Sequence, residues 1–240
     1  MATTHRARVI RVDHFVQGGV LLRLQMEEPT RFPHIAGQYI IVNSELSYPN
    51  GKAGKRAYSL FGVEQESAIF HLAAERIKGG LVSQYLCERQ VGDQVLFSGP
   101  WGKFHAPAED ESRPLVAVAF ATGITALLGI VGQRSWPDHS QLIWVRDENA
   151  AFIPESCVFD LLSSSIKRLD IVDGFDADAD HRAWLRLEDQ LVREPLIYCA
   201  GEGGAVDRLE ARLKEHGFPM EAFFKESFFR LPPPDAIDVK

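Results

Sequence analysis

The chain has 240 residues, of which 45% are hydrophobic and 25% are charged, and its formal net charge is −7. This size and composition are those of one large or two ordinary globular domains, with a core that needs no metal or disulfide support. The acidic balance argues against a general nucleic-acid-binding protein, because such a protein needs a basic surface.

The cysteines, the histidines and the apolar segments indicate whether the chain binds a metal, crosses a membrane or resides in a reducing compartment. Cys87, Cys157 and Cys199 form no Cys-x-x-Cys pair, and the eight histidines lack metal-ligand spacing. We therefore expect no metal site. The odd number of cysteines fits a reducing compartment. The first residues lack a signal pattern, and the longest apolar stretch, 114–131, is interrupted by Thr122 and Gly123. These features predict a cytoplasmic protein without a membrane span.

The first hundred residues have the pattern of short strands separated by turns. Turn signals occur at 48–51, 78–80 and 91–93, between β-branched and apolar segments. The predicted strands are 7–14, 20–25, 38–43, 56–61, 68–74 and 94–98, with a short helix at about 80–88. This series predicts an antiparallel Greek-key β-barrel, which we assign to residues 1–108.

The composition changes after a polar, proline-flanked linker at 106–114. The continuous apolar run 115–121 is typical of a strand buried on both faces. Predicted strands at 141–145, 169–172, 196–199 and 222–224 then alternate with predicted helices at 125–134, 158–165, 183–192 and 206–216. This alternation predicts an α/β doubly wound parallel sheet as a second domain at 113–240, ending in an extended appendage from residue 231.

Two segments of the first half suit a ligand that carries a phosphate and a planar ring. In the run Arg-Ala-Tyr-Ser, Arg56 offers a fork of donors, Tyr58 an aromatic face and Ser59 a hydroxyl. Further along, Gly79-Gly80 allows backbone N–H groups to approach a pyrophosphate, and Ser83 follows. Either segment alone is weak, because such runs arise by chance and a Gly-Gly pair is commonly a turn.

Two loops at the carboxyl ends of predicted parallel strands are candidate nucleotide sites, since ligands of doubly wound sheets bind there. The loop 121–125 precedes a helix whose N-terminus could hold a phosphate, although an ordinary strand–helix turn fits equally well. The loop 199–204 is rich in glycine, and Cys199 could equally be a buried small hydrophobe. Glu226, in an aromatic run, could relay a proton in a partly dry site or be a solvated surface residue.

Taken in order, these segments resemble the ferredoxin–NADP reductase superfamily of flavoproteins, over nearly the whole chain. The matching segments are 37–39, 56–59, 78–83, 99–104, 122–125, Cys199 and 226–228. The resemblance implies an FAD-binding barrel followed by a nicotinamide-dinucleotide domain. By analogy, NADH or NADPH would pass hydride to the flavin. Electrons would then go to a ferredoxin, a flavodoxin, an oxygenase component or free flavin.

The resemblance also implies roles for the residues of the barrel. Arg56 would hold a flavin phosphate, Tyr58 would pack on the isoalloxazine, and Ser59 would hydrogen-bond near its N5. Residues 80–83 would surround the pyrophosphate. The whole set predicted to bind cofactor is Arg56, Ala57, Tyr58, Ser59, Lys78, Gly79, Gly80, Leu81, Val82, Ser83, Thr122, Gly123 and Phe228.

On the nicotinamide side, the resemblance implies that Thr122, Gly123 and Cys199 face the ring. Glu226 would lie near the reacting atoms, and Phe228 would stack where the nicotinamide enters. The residues predicted to be catalytic are Ser59, Cys199 and Glu226.

The departures from the family pattern lie on the nucleotide side. The family usually reads Gly-Gly-Thr-Gly-Ile-Thr-Pro where this chain has 120–126, and Cys-Gly-Pro where it has 199–201. After the third strand stands Asp173, which would repel the 2′-phosphate of NADPH and favours NADH, whereas Arg146 and Arg182 argue for NADPH. Two alternatives follow. One is an electron-transfer flavoprotein subunit of a larger complex with degenerate nucleotide loops, and the other is a non-catalytic binding module.

Overall fold

A computed structural model of the chain describes residues 3–16, 18–28, 31–64, 66–105, 112–147 and 152–228. It contains one antiparallel and one parallel sheet in chain order, which confirms the predicted fold class. Most of the predicted linker and all of the predicted appendage lie outside the described residues. The domain limits at 108 and 113 therefore stay predictions.

The first sheet is a curled, barrel-like sheet of seven antiparallel strands. Its elements are β1 Thr4–His14, β2 Gly19–Glu28, β3 Tyr39–Ser47, β4 Ala53–Ser59, β5 Phe61–Glu64, β6 Ile69–Glu75, α1 Leu81–Cys87 and β7 Gln94–Trp101. The strand order is β4-β3-β7-β1-β2-β6-β5. Only Leu60 separates β4 from β5, although these are the two end strands of that order, so the sheet curls until its ends meet.

The break at Leu60 replaces the single strand predicted at 56–61. Leu60 is fully buried, and its N–H donates to the carbonyl of Gln38 at 3.0 Å. The chain thus passes from β4, which pairs with β3, to β5, which pairs with β6. The curl brings β4 and β6 to the same side of the barrel, and the candidate ligand residues of β4 lie there.

The second sheet has five parallel strands. Its elements are β8 Leu115–Phe120, α2 Ile124–Val131, β9 Gln141–Arg146, α3 Glu155–Leu162, β10 Arg168–Asp173, α4 Ala177–Leu191, β11 Leu196–Glu202, α5 Gly203–Glu215 and β12 Phe223–Phe228. The strand order β10-β9-β8-β11-β12 reverses between β8 and β11. The loops after these two strands therefore flank the crevice in which doubly wound sheets bind ligands.

Helix α4 begins earlier than the sequence pattern predicted. Asp176 accepts a hydrogen bond from the N–H of Ala179 at 2.8 Å and so caps the first turn. Asp178 and Asp180 follow in that turn, where carboxylates interact favourably with the helix dipole. This acidic start has no apolar periodicity, so the predicted start at residue 183 was wrong.

One continuous hydrophobic core joins the two sheets. It contains Phe61 and Phe104 from the barrel side together with Leu127 and Ile130 of α2 and most of the parallel sheet. A second core fills the barrel itself, around Phe32, Phe70 and other buried side chains. The shared core fixes how the barrel sits against the carboxyl end of the parallel sheet.

The described residues include neither a membrane-spanning helix nor a cluster of potential metal ligands. No described helix combines the length and the apolar character needed to cross a bilayer. Among the same residues, His, Cys, Asp and Glu side chains form no group of three or more that could hold a metal ion.

Candidate functional site

A cleft of about 520 Å³ lies between the barrel and the carboxyl end of the parallel sheet. Strands β3, β4 and β6 and the segment 77–83 form one wall. The segment 121–125, Phe152 and the ends of β11 and β12 form the other. The lining residues are Tyr39, Ile41, Tyr48, Lys55, Arg56, Ala57, Tyr58, Ser59, Ala73, Ala74, Glu75, Ile77, Gly80, Val82, Ser83, Ala121, Thr122, Thr125, Phe152, Glu202, Glu226, Ser227 and Phe228.

Strand β4 supplies a cation, an aromatic ring and a hydroxyl to the barrel wall. Arg56 is half-buried, and within the part of the chain that the structure describes no carboxylate forms an ion pair with it. Burial raises the pKa of the Tyr58 phenol well above its usual range, so this side chain stays neutral. Ser59 is buried at the end of the strand. An uncompensated guanidinium in a cleft suits an anionic group.

The segment before α1 is shaped by the side chain of Ser83. Its hydroxyl donates to the carbonyl of Gly80 at 3.0 Å and accepts from the N–H of Ile77 at 3.2 Å. A Cβ on Gly80 would lie 2.6 Å from that hydroxyl oxygen, so a larger residue there would displace the Ser83 side chain from this closed turn. Ser83 thus stabilises the cleft wall by holding the backbone of Ile77 and Gly80 in place.

Replacing Ser83 with alanine should open this turn and weaken the binding of FAD, the cofactor that the resemblance implies. Two hydrogen bonds are lost at a buried position, and we expect the Kd for FAD to rise about 5- to 10-fold. Titration of the apoprotein with FAD measures this. Ser140→Ala is the control, because its buried hydroxyl accepts from the N–H of Leu115 at 2.9 Å in the other sheet. Equal effects of Ser83→Ala and Ser140→Ala on FAD affinity would contradict the role of Ser83 in shaping the cofactor site.

The opposite wall is built from the loop after β8. Ala121 and Thr122 line the cleft, and the hydroxyl of Thr125 donates to the carbonyl of Thr122 at 3.0 Å. Nearby, the carboxylate of Glu202 caps α5 by accepting from the N–H groups of Gly204 and Ala205 at 3.0 and 2.8 Å. These N–H groups are therefore already occupied by a side chain of the protein.

Glu226 enters the cleft from β12, which pairs with β11 so that Glu226 lies beside Ala200. The side chain is half-buried, and this burial raises the pKa of its carboxyl. Glu226 is thus neither a core residue nor a fully solvated one. It holds its proton more readily than an exposed glutamate.

Because the pKa of Glu226 is raised, we expect Glu226→Gln to change the free energy of unfolding in a pH-dependent way. The folded chain takes up this proton more readily than the unfolded chain. The stability contributed by the carboxyl is therefore complete below its unfolded pKa and is lost as pH rises through the folded pKa. The glutamine variant should gain unfolding free energy relative to the parent as pH rises from about 4 to about 7. Urea unfolding checks this, with Glu221→Gln at an exposed position as control. A constant difference across that range would refute the prediction.

The structure brings together most, but not all, of the predicted site residues. Ten line the cleft, namely Arg56, Ala57, Tyr58, Ser59, Gly80, Val82, Ser83, Thr122, Glu226 and Phe228. Five do not belong to this lining, namely Lys78, Gly79, Leu81, Gly123 and Cys199. Lys78 and Gly79 are exposed beside the cleft, and Gly123 is buried behind it.

Cys199 is fully buried, and burial raises the pKa of its thiol well above the usual range. The predicted strand ended at residue 199, whereas β11 continues to Glu202. Cys199 therefore lies within the strand, not at its carboxyl end. A buried, neutral thiol behaves as a small hydrophobe, and a catalytic role for Cys199 finds no support in its position.

Sequence reasoning missed several lining residues. They are Ile41, Tyr48, Ala73, Ala74, Glu75, Ile77 and Phe152. One signal was available, because Ala73 and Ala74 are two small residues at the end of a predicted strand and small side chains leave room for a ligand. Phe152 had no such signal, because it belongs to no predicted strand, helix or motif.

The chemistry of this cleft fits a cofactor with phosphates and a flat ring system. Arg56 is available for an anion, Tyr58 offers an aromatic surface, and the closed turn at Gly80 leaves room for close approach of a ligand. An antiparallel barrel, a doubly wound sheet and a cleft between them form the arrangement that the resemblance to the class of two-domain flavoprotein reductases implied.

The comparisons with known proteins agree with this class. Residues 8–106 match the family model described as the oxidoreductase FAD-binding domain. The ferredoxin reductase in carbazole 1,9a-dioxygenase has the same fold, with a TM-score of 0.75 and 19% identity over 95% of this chain and 70% of that chain. The predicted resemblance to ferredoxin–NADP reductase-like flavoproteins and the FAD-binding barrel are therefore confirmed.

Two curated relatives are reductase subunits. The aromatic O-demethylase reductase subunit of Amycolatopsis sp. is 34% identical over 128 residues, which are 52% of this chain and 36% of that protein. The glycine betaine monooxygenase reductase subunit of Chromohalobacter salexigens is 24% identical over 255 residues, covering 98% of this chain and 67% of that protein. This chain thus spans about a third of the first relative and two thirds of the second. These relatives give no support to an electron-transfer flavoprotein subunit.

Proposed function

We propose that the chain is an FAD-dependent NAD(P)H oxidoreductase that supplies electrons to a separate redox acceptor. The observation that carries this proposal is the cleft itself. Arg56 and Tyr58 stand on the barrel wall, and Thr122 and Glu226 stand on the wall formed by the parallel sheet. One cleft thus has a wall suited to a flavin and a wall at the switch point where a nucleotide binds.

The redox chemistry would come from FAD when it is bound, as the acceptor of hydride from NAD(P)H and the donor of electrons to the acceptor. The protein supplies binding and alignment. Arg56 would hold a flavin phosphate, Tyr58 would pack on the ring, and Ser59 would offer its hydroxyl from a buried position. Val82 and Phe228 add apolar surface that limits the entry of water.

Glu226 is the group in the cleft best suited to hold a proton. Its carboxyl is half-buried and its pKa is raised, so a larger fraction is protonated near neutral pH than for an exposed glutamate. We assign it the role of holding or passing a proton beside the flavin. Cys199 takes no part in this assignment, because its thiol is buried in the core.

The charged residues at and beyond the ends of β9 and β10 favour NADH over NADPH. The Arg146 guanidinium forms ion pairs with Glu155 and Asp173, both at 3.2 Å, and Arg182 pairs with Asp178 at 3.1 Å. The two arginines that argued for a 2′-phosphate site are thus already neutralised by acids. Asp173 adds a negative charge where that phosphate would lie.

The acceptor is proposed from the relatives, which are named as the reductase subunits of an aromatic O-demethylase and of a glycine betaine monooxygenase. An oxygenase component or a ferredoxin is therefore the leading partner, ahead of a flavodoxin or free flavin. The cytoplasmic location stays a prediction.

Anaerobic mixing of the FAD-loaded protein with NADH or NADPH tests the proposal. We expect the visible flavin band to bleach with both nucleotides, and faster with NADH. A flavin that neither nucleotide reduces would overturn the proposed function. Faster reduction by NADPH would overturn only the assignment of the preferred nucleotide.

A further inference from the structure

The indole of Trp144 reaches from β9 to the loop that lines the cleft. Trp144 is 1% exposed and lies beside Ala119 of β8 in the sheet. Its Nε1–H donates to the carbonyl oxygen of Ala121 at 3.0 Å. A buried side chain of one strand therefore fixes the backbone at the end of its neighbour.

The carbonyl that Trp144 holds belongs to a residue in an unfavourable conformation. Ala121 has a φ of 51°, in the left-handed region that alanine adopts reluctantly. Ala121 and Thr122 both line the cleft, at the wall that we assign to the nicotinamide. A tether on the Ala121 carbonyl thus opposes the tendency of this loop to relax away from its observed shape.

The ring of the indole also contacts Arg146. The Arg146 guanidinium carbon lies 5.1 Å from the centre of the Trp144 ring, and Arg146 is fixed by its ion pairs with Glu155 and Asp173. A chain of contacts therefore runs from Asp173 at the end of β10 and Glu155 at the start of α3, through Arg146 and Trp144, to Ala121. It ties the end of the sheet near Asp173 to the cleft loop.

We propose that Trp144 is a positioning residue for the nicotinamide end of the bound dinucleotide. Its indole N–H holds Ala121 in the left-handed conformation, and this conformation shapes the wall at Thr122. The inference rests on the proposed function, since it concerns the same cleft and the same reaction. Trp144 does not line the cleft and acts only through the Ala121 backbone.

Trp144→Phe separates the hydrogen bond from the packing, because phenylalanine keeps an aromatic ring but lacks the N–H. In single-turnover measurements on the FAD-loaded protein, we expect hydride transfer from NADH to slow about tenfold. The Kd for ADP, which has no nicotinamide, and the Kd for FAD should stay unchanged. A loss shared equally by hydride transfer and by ADP and FAD binding would mean general damage and would overturn the proposal.

Trp184 offers a matched control. It is also 1% exposed and lies in α4 of the same half of the chain, and its Nε1 has no hydrogen-bond partner among the described residues. Trp184→Phe therefore removes a buried indole without removing such a bond. We expect it to lower stability while hydride transfer stays within about twofold of the parent rate. Equal slowing by Trp184→Phe and Trp144→Phe would overturn the proposal.

A rescue variant tests the route through Ala121. Glycine adopts the left-handed conformation without strain, so the loop depends less on its tether in an Ala121→Gly background. We expect Trp144→Phe to slow hydride transfer there by about twofold or less, against about tenfold in the parent. An undiminished effect in the Ala121→Gly background would overturn the proposal.

A measurement without any nucleotide keeps this inference distinct from the proposed function. Trp144→Phe should accelerate backbone amide hydrogen exchange about tenfold in the segment 121–124, and leave barrel amides unchanged. Unchanged exchange in that segment overturns the inference whatever the nucleotide does. Failure of NADH and NADPH to reduce the flavin of the parent protein overturns the proposed function instead.

Discussion

Replacing Arg56 with alanine should weaken FAD binding by about 30- to 150-fold, which corresponds to about 2–3 kcal/mol for charge-assisted hydrogen bonds. Arg56 lines the cleft, and no carboxylate within the described ranges neutralises it. An anionic group of the cofactor therefore gains the full interaction with the guanidinium. Isothermal titration of the apoprotein with FAD measures the loss.

Two controls make the Arg56 prediction specific to phosphate. Riboflavin has the same ring system but no phosphate, so Arg56→Ala should leave its affinity unchanged. Lys52→Ala removes an exposed positive charge that is not part of the cleft lining and should leave FAD affinity within about twofold. If Arg56→Ala weakened riboflavin and FAD equally, Arg56 would not be the phosphate ligand.

The second large effect is expected at Gly123. A Cβ added there would lie 2.0 Å from the carbonyl oxygen and 2.4 Å from the carbonyl carbon of Ala200, both backbone atoms of β11. Neither partner can rotate away, so the loop after β8 and the end of β11 must separate. We expect Gly123→Ala to lower the free energy of unfolding by about 3 kcal/mol or more. Denaturant unfolding of the apoprotein measures this.

Gly217 provides the control for Gly123, since both changes add one methyl group to a glycine. Gly217 has a φ of 70° and open space where its Cβ would be. Gly217→Ala should therefore cost only about 1 kcal/mol, from backbone conformation alone. The clash argument fails if Gly123→Ala costs no more than this. A folded Gly123→Ala protein should also keep FAD and lose reduction by NADH, because the cleft loop is displaced.

The barrel wall of the site was predictable because its signals are local. The run from Arg56 to Ser59 forms part of one strand, and the closed turn from Gly80 to Ser83 precedes one short helix. Residue type alone indicates a phosphate ligand at Arg56 in the first segment and a tight turn at Gly80 in the second. The sequence did not predict the curl of the sheet around Leu60, and this curl is what places both segments on one cleft.

The parallel-sheet wall was less predictable because its key features are non-local. No sequence pattern shows that Ala121 adopts a left-handed φ, because alanine is not a residue that signals that conformation. The bond from Trp144 to Ala121 joins residues of different strands. Cys199 was misplaced for a simpler reason, since the glycine at 201 suggested a strand end before β11 actually finishes.

Helix starts were the least accurate local prediction. Glu202 caps α5 although Ser, Thr, Asp and Asn are the usual capping residues, so the two glycines after it gave the pattern of a loop. The cap matters for function, because it fills the N-terminus of α5 with a carboxylate at the edge of the cleft. A nucleotide phosphate would have to displace Glu202 or bind elsewhere.

A crystal structure of the protein grown with FAD tests the central claim most directly. We expect density for the flavin in the cleft between the two sheets, with a phosphate against the guanidinium of Arg56 and the ring against Tyr58. FAD bound elsewhere on the molecule, or a cleft filled by the protein's own side chains with no flavin in it, would contradict the account.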